Sequence, residues 1–235
     1  MEMLASHEFW IGLFAIIWVN ILLSGDNAVV IALAARSLPP KQQKQAIVWG
    51  SVAAIVMRVI LTIVAVEMLK LPYLKIVGAL LLLWIAVQLL APEDDGGDGQ
   101  AKTYGSMFAA IRTIMIADLV MSLDNVIGVA AAAKGNIVLL VLGLAISIPL
   151  IVFGSTLVLK VMERFPIIIT AGAALLGWIA GDMLPTDPAI ADWVKANMGW
   201  LVSLWGAPII GAALVVIVGS WLARRKPPVA ENEKA

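Results

Sequence analysis

Four aspartates, Asp26, Asp118, Asp124 and Asp182, fall inside long apolar runs of this sequence. A carboxylate at the centre of a membrane helix costs roughly 2.5–3.5 kcal/mol on insertion scales. Four of them call for compensation by a cation, a proton path or a buried counter-charge. Two are followed by Asn, giving Asp26-Asn27 and Asp124-Asn125. Asn20, Ser24 and Asn27 are spaced i, i+4, i+7, and so are Asp118, Ser122 and Asn125. That spacing puts each trio on one helix face. On a continuous helix Asp26 and Asp124 point about 100° away from the neighbouring Asn. Unwinding at Ser24-Gly25-Asp26 would gather these oxygens and free backbone carbonyls beside them. Gly25 lowers the cost of such a break. The second copy carries Leu123 in place of glycine, so a milder break, or none, is expected there.

The donors are carboxylate, carboxamide and hydroxyl oxygens, a set that suits Mg²⁺, Ca²⁺ or Mn²⁺. Zinc, copper and nickel favour Cys or His, and the chain has no Cys and a single His, His7. Met121 and Met183 adjoin the acidic segments. A thioether contact from Met121 would favour Mn²⁺, although methionine commonly fills gaps in cores. Arg58 stands mid-run in the second apolar stretch. It is expected either in a structural ion pair, for instance with Asp26 or Asp124, or as a switch that neutralises the acidic cluster when metal is absent. No permanently bound cofactor is expected; the metal is cargo.

The elements that position these residues are membrane helices. The chain has 235 residues, 62% of them hydrophobic, with a mean hydropathy of +0.99, against about 45–50% apolar in soluble domains. Seven apolar runs are read as spans, each helical because lipid offers the backbone no hydrogen-bond partner: 9–35, 46–69, 73–91, 107–133, 137–159, 167–184 and 204–223. The first run resembles a signal peptide, with Ala32-Leu33-Ala34 in the place of a cleavage site. Its length, its carboxylate and the absence of Lys or Arg before Arg36 argue for a retained helix. Asp187-Pro188 looks like a helix start, and Ile190, Trp193, Val194 and Trp200 could lay that short helix on the membrane surface. Of 16 Lys and Arg, ten fall on one side of the spans and four on the other. The positive-inside rule then puts the N-terminus outside and the C-terminus in the cytoplasm of a multi-pass cell-membrane protein. Zero net charge gives no reason to expect nucleic acid.

Two pairs of segments match internally. "LPYLKIVGALLLLWIAVQLL" from Leu71 aligns with "FPIIITAGAALLGWIAGDML" from Phe165, placing Gln88 opposite Asp182. "NILLSGDNAVVIALAA" from Asn20 aligns with "DLVMSLDNVIGVAAAA" from Asp118, placing Asn20 opposite Asp118 and Ser24 opposite Ser122. The expected fold is an all-α membrane protein of seven helices, two inverted three-helix repeats plus a seventh helix. Residues 1–91 form the first repeat, 92–106 an acidic, Gly-rich cytoplasmic linker and 107–184 the second repeat. An extracytoplasmic loop with an interfacial helix (185–203), a seventh span (204–223) and a basic, then polar cytoplasmic tail (224–235) complete it. An odd number of spans per repeat inverts one half against the other, a transporter plan with its site near the midplane.

The paired "SGDNAVVIAL" and "SLDNVIGVAAA", with "WIAGDML" and the seven runs, resemble the TerC family of integral membrane proteins, within the wider LysE-type group. The resemblance covers roughly Phe9 to Leu184. It implies export of metal ions, chiefly Mn²⁺, and a metal pathway through Asp26, Asn27, Asp118, Asp124, Asn125 and Asp182. Asn20, Ser24, Ser122, Met121 and Arg58 are auxiliary candidates. No Walker motif is present, so a secondary transporter exchanging metal for protons is expected rather than an enzyme. The partners are then a divalent cation and the bilayer, and the sequence admits a homo-oligomer.

Other classes compete. An accessory or scaffold membrane protein would need no ion site. An intramembrane aspartyl protease would use Gly25-Asp26 and Gly181-Asp182, but the fuller Gly-x-Gly-Asp pattern is missing. A retinal photoreceptor needs a lysine in a late helix, and Leu204–Ala223 has none.

Overall fold

The computed structural model describes residues 7–22, 25–68, 71–90, 101–133, 136–203 and 205–225. Every regular element among them is helical. In chain order these are α1 (His7–Leu22), α2 (Gly25–Ala35), α3 (Pro40–Met68), α4 (Leu74–Leu90), α5 (Ala101–Ala133), α6 (Ile137–Arg164) and α7 (Ile167–Met183). A 3₁₀ turn (Leu184–Thr186) follows, then α8 (Ala191–Asn197), α9 (Trp200–Ser203) and α10 (Gly206–Arg225).

Four stretches are long and apolar enough to cross a membrane: Pro40–Val64, Ile137–Arg164, Ile167–Thr186 and Gly206–Arg224. Phe9–Trp18, Gly25–Ala35 and Leu74–Leu90 are shorter apolar helices. Large apolar side chains such as Trp49, Ile63, Phe153 and Ile217 are exposed on the bundle's outside. Water would penalise such a surface, whereas lipid tails do not. Several hydroxyls within the helices donate to the preceding turn. Thr62 donates to the Arg58 carbonyl, Ser147 to Gly143 and Ser155 to Ile151. Asn136 caps α6 by accepting the Leu139 N–H at 3.0 Å.

Several expectations are refined. The break expected at Ser24-Gly25 falls on Leu23 and Ser24, outside the described residues. The second copy is continuous, since α5 runs through Ser122, Leu123 and Asp124. That helix begins at Ala101, earlier than the Met107 expected. Asp187-Pro188 does not start a helix. α8 begins at Ala191, because the Asp187 carboxylate is committed to other amides. It accepts from Ala189 within its own turn, and from Tyr73, Lys75 and Ile76 at the start of α4. Of the surface-helix residues, Trp193 and Trp200 are exposed, whereas Val194 is buried.

The packing has a regular scheme. α3 lies along α5, and α1 and α2 lie along α6. α4 packs on α7, and α10 packs on both. Ile114 of α5 covers Gly50 of α3, and Ile16 of α1 covers Gly143 of α6. Further along, Leu61 meets Val126, and Gly154 faces Ala28. Both helix pairs therefore run in the same direction. With Gly143 set on Gly50, the buried positions of the two helices coincide: Ala46, Ile47, Ala54, Arg58 and Thr62 against Leu139, Leu140, Ser147, Ile151 and Ser155. Glycine is required where α7 meets α10. A Cβ on Gly177 or Gly181 would strike the backbone of Gly211 or Ala207, and one on Gly211 the Gly177 carbonyl.

Candidate functional site

The site is built from one helix face meeting a long cation. On α5, Asp118 and Ser122 are one turn apart and both are buried. Arg58, on α3, is 1% exposed. Its Nη2 donates to Asp118 Oδ1. Its Nε donates to Ser122 Oγ at 2.9 Å, and Ser122 Oγ donates to Asp118 Oδ2 at 3.2 Å. The three groups form a closed ring of charge-assisted hydrogen bonds in a setting without water to screen them. Among the described residues Arg58 is thus hydrogen-bonded to Asp118, a partner the sequence did not name; of the two it did name, Asp26 lies within electrostatic reach and the Asp124 side chain is outside the described residues. The clue in the sequence was Asp118 itself, a second mid-helix charge of opposite sign.

Asp26 lies in the first turn of α2. Its carboxylate accepts the Asn27 N–H at 2.9 Å, one of the amides that a helix start leaves without a carbonyl behind it. The Asp26 carboxylate interacts electrostatically with both Arg58 and Asp118. It is half-buried, whereas Asn27 beside it is buried. Gly25 is exposed, and a Cβ built on it meets nothing within 4 Å. Open space therefore adjoins Gly25, the residue before Asp26. At the equivalent place of the second copy, Leu123 is buried.

The remaining candidates divide. Asp124 lies on α5, but its side chain is outside the described residues, as are the side chain of Asn20 and the whole of Ser24. Asn125 is half-buried. Met121 is buried in the core, and the Met183 methyl lies against Gly78, so both are packing residues. Asp182 is not brought to the cluster. α7 turns Gly177 and Gly181 toward α10, which leaves Asp182, one residue on, exposed. Its counterpart Gln88 on α4 is exposed in the same way. Among the described residues no three His, Asp or Glu side chains are grouped as a metal site. What the described site offers is one accessible carboxylate, with a neutralised pair behind it.

One structural carboxylate is not marked in the sequence. Asp187 is fully buried and joins the start of α4 to the loop after α7 through four backbone N–H donors. Burial opposes its charge, but those four amides outweigh it and hold the carboxyl below its usual range. Asp187-Pro188 looks like a helix start, and nothing local marks amides more than a hundred residues away.

The chain matches the model of the integral membrane protein TerC family over residues 5–227. The membrane protein YjbE of Bacillus subtilis (strain 168) is 42% identical over 212 residues, which cover 90% of this chain and 95% of that one. YceF of the same organism is 27% identical over 190 residues, 77% of this chain and 74% of its own. The UPF0053 inner membrane protein YoaE of Escherichia coli (strain K12) is 26% identical over 243 residues, 96% of this chain but 45% of its own length. No solved structure matches the chain. With buried charges on long apolar helices and a match across almost its whole length, this multi-pass membrane protein belongs to the integral membrane protein TerC family.

Proposed function

We propose that this chain is a secondary transporter that exports a hard divalent cation, chiefly Mn²⁺, in exchange for protons. In this reading seven spans form two inverted three-helix halves and a last helix, with the N-terminus outside and the C-terminus in the cytoplasm. The paired packing supports the two halves: α3 with α5 matches α1 and α2 with α6, down to Ile114 on Gly50 and Ile16 on Gly143. The seventh span, α10, stands outside this pairing and rests on α7 and α4.

The observation that carries the proposal is the half-buried Asp26 carboxylate on an apolar helix, with open space beside it at Gly25. A carboxylate within a membrane span is by default a residue of an ion or proton path. Asp26 and Asn27 supply hard oxygen donors there, and Asp124 and Asn125 are the matching pair of the other half. The same carboxylate takes a proton when the cation leaves, which couples the two fluxes. Mn²⁺ among the hard cations is what the family resemblance implies.

The test is flux into proteoliposomes of purified protein, comparing Mn²⁺, Mg²⁺, Ca²⁺ and Zn²⁺ with and without an imposed pH gradient. Mn²⁺ flux that follows the gradient and is lost in Asp26→Asn supports the proposal. Flux unchanged by Asp26→Asn removes the site, and absence of any cation flux favours an accessory role.

A further inference from the structure

The Arg58–Asp118 pair stands between two contacts that recur in the other helix pair, α1 and α2 with α6. Before it, Ile114 covers Gly50; after it, Val126 meets Leu61. In that pair, Ile16 covers Gly143 and Ala28 faces Gly154. In the register those contacts define, Arg58 corresponds to Ile151, Asp118 to Asn20 and Ser122 to Ser24. Both charges are present in the α3–α5 pair and both are absent from the pair of α1 and α2 with α6. A charge left alone at either place would be buried without compensation, so the two behave as a unit. The helix contact itself does not require them, because the other helix pair packs in the same way with isoleucine in the arginine's place.

The pair also occupies the carboxylate. Asp118 Oδ1 takes Arg58 and Oδ2 takes Ser122. Among the described residues, the other carboxylate within electrostatic reach of the pair is Asp26, half-buried and next to the exposed Gly25. We propose that Arg58 is a tethered counter-cation that holds Asp118 outside the transported cation's coordination sphere and latches α3 to α5. Asp118 is then a positioning residue, and Asp26 is the carboxylate the cation meets. The identity of that cation rests on the transport reading above. Parting α3 from α5 separates opposite charges inside the membrane, whereas parting α1 and α2 from α6 at the equivalent place separates neutral groups. The α3–α5 contact is the rigid one, and the contact of α1 and α2 with α6 is the one that parts.

The test compares wild type, Asp118→Asn, Arg58→Gln and the double variant R58Q/D118N, each purified whole, by Mn²⁺ titration and by thermal unfolding. Asp118→Asn leaves the guanidinium uncompensated within electrostatic reach of Asp26, so Mn²⁺ binding weakens on the order of tenfold. Arg58→Gln frees a second carboxylate there, so binding tightens by a similar factor. The double variant returns to within about threefold of wild type. Opposite signs that cancel are the signature of the latch. A folded double variant that binds as weakly as Asp118→Asn makes Asp118 a ligand and overturns the proposal. R58I/D118N, which copies Ile151 and Asn20, repeats the comparison if the glutamine variants fold poorly. If wild type binds no Mn²⁺, the transport reading fails, and unfolding alone judges the latch. Single variants that do not lower the melting temperature, or a double variant that does not restore it, then refute it.

Discussion

Arg58 and Asp118 stand 60 residues apart in the chain and meet inside the bundle, one on α3 and the other on α5. Each removes the cost of burying the other. Ser122, fully buried, links them by accepting from Arg58 Nε and donating to Asp118 Oδ2. Ser122→Ala removes both bonds and leaves the ion pair in place. Hydrogen bonds to charged groups are worth about 1.5–3 kcal/mol, and the variant is expected to lose stability in that range. Thermal unfolding in detergent measures it. An unchanged melting temperature means that the hydroxyl bridges nothing of consequence.

Much of the scheme was legible in the sequence, because repeated polar residues in apolar runs are conspicuous. The alignment of Asn20 with Asp118 is in register with the contacts of Ile16 and Ile114 on their glycines. The alignment of Gln88 with Asp182 pairs two exposed positions. The pattern could not tell which face of α7 is covered, since that depends on where α10 packs. Asp182 was therefore placed in the metal pathway although Gly181, not Asp182, faces the neighbouring helix. The role of Asp187 was hidden because its partners are backbone amides, which every residue but proline carries.

Where α7 crosses α10, backbone lies against backbone. A Cβ on Gly211 would overlap the Gly177 carbonyl, and one on Gly181 the Ala207 carbonyl. Backbone cannot rotate aside as a flexible side chain can. Gly211→Ala and Gly181→Ala are each expected to cost roughly 1–3 kcal/mol by forcing the helices apart. A panel of alanine variants ranked by melting temperature checks this. Gly154→Ala, whose added methyl meets the Ala28 Cβ at an ordinary 3.6 Å, serves as the tolerated control.

Asp187 ties Tyr73, which has a left-handed backbone with φ 68°, to the loop after α7. Asp187→Ala strands four amides, and leaving buried donors unpaired costs roughly 1–3 kcal/mol. Its pH dependence follows from the lowered carboxyl. The stabilisation is fully present above the unfolded value of about 3.9 and is lost as pH falls through the lower folded value. Unfolding of wild type and Asp187→Asn compared across the acid range tests the sign. The difference between them is expected to be largest above about pH 4 and to shrink below it. A difference that grows toward acid would contradict the assignment.

Gly25 separates fold from function. Its added Cβ meets nothing, and no left-handed backbone requires glycine there. Gly25→Ala is therefore expected to keep or slightly raise stability, by up to about 1 kcal/mol, through the unfolded chain. Gly25→Leu copies Leu123 of the other half and fills the space beside Asp26. If that space is the cation's approach, Gly25→Leu folds with an ordinary melting temperature while Mn²⁺ flux falls by roughly tenfold or more, about 1.4 kcal/mol of added barrier. Gly25→Ala, smaller by three carbons, retains most of the flux. Equal flux from Gly25→Leu and wild type would mean that the cation reaches Asp26 from another direction.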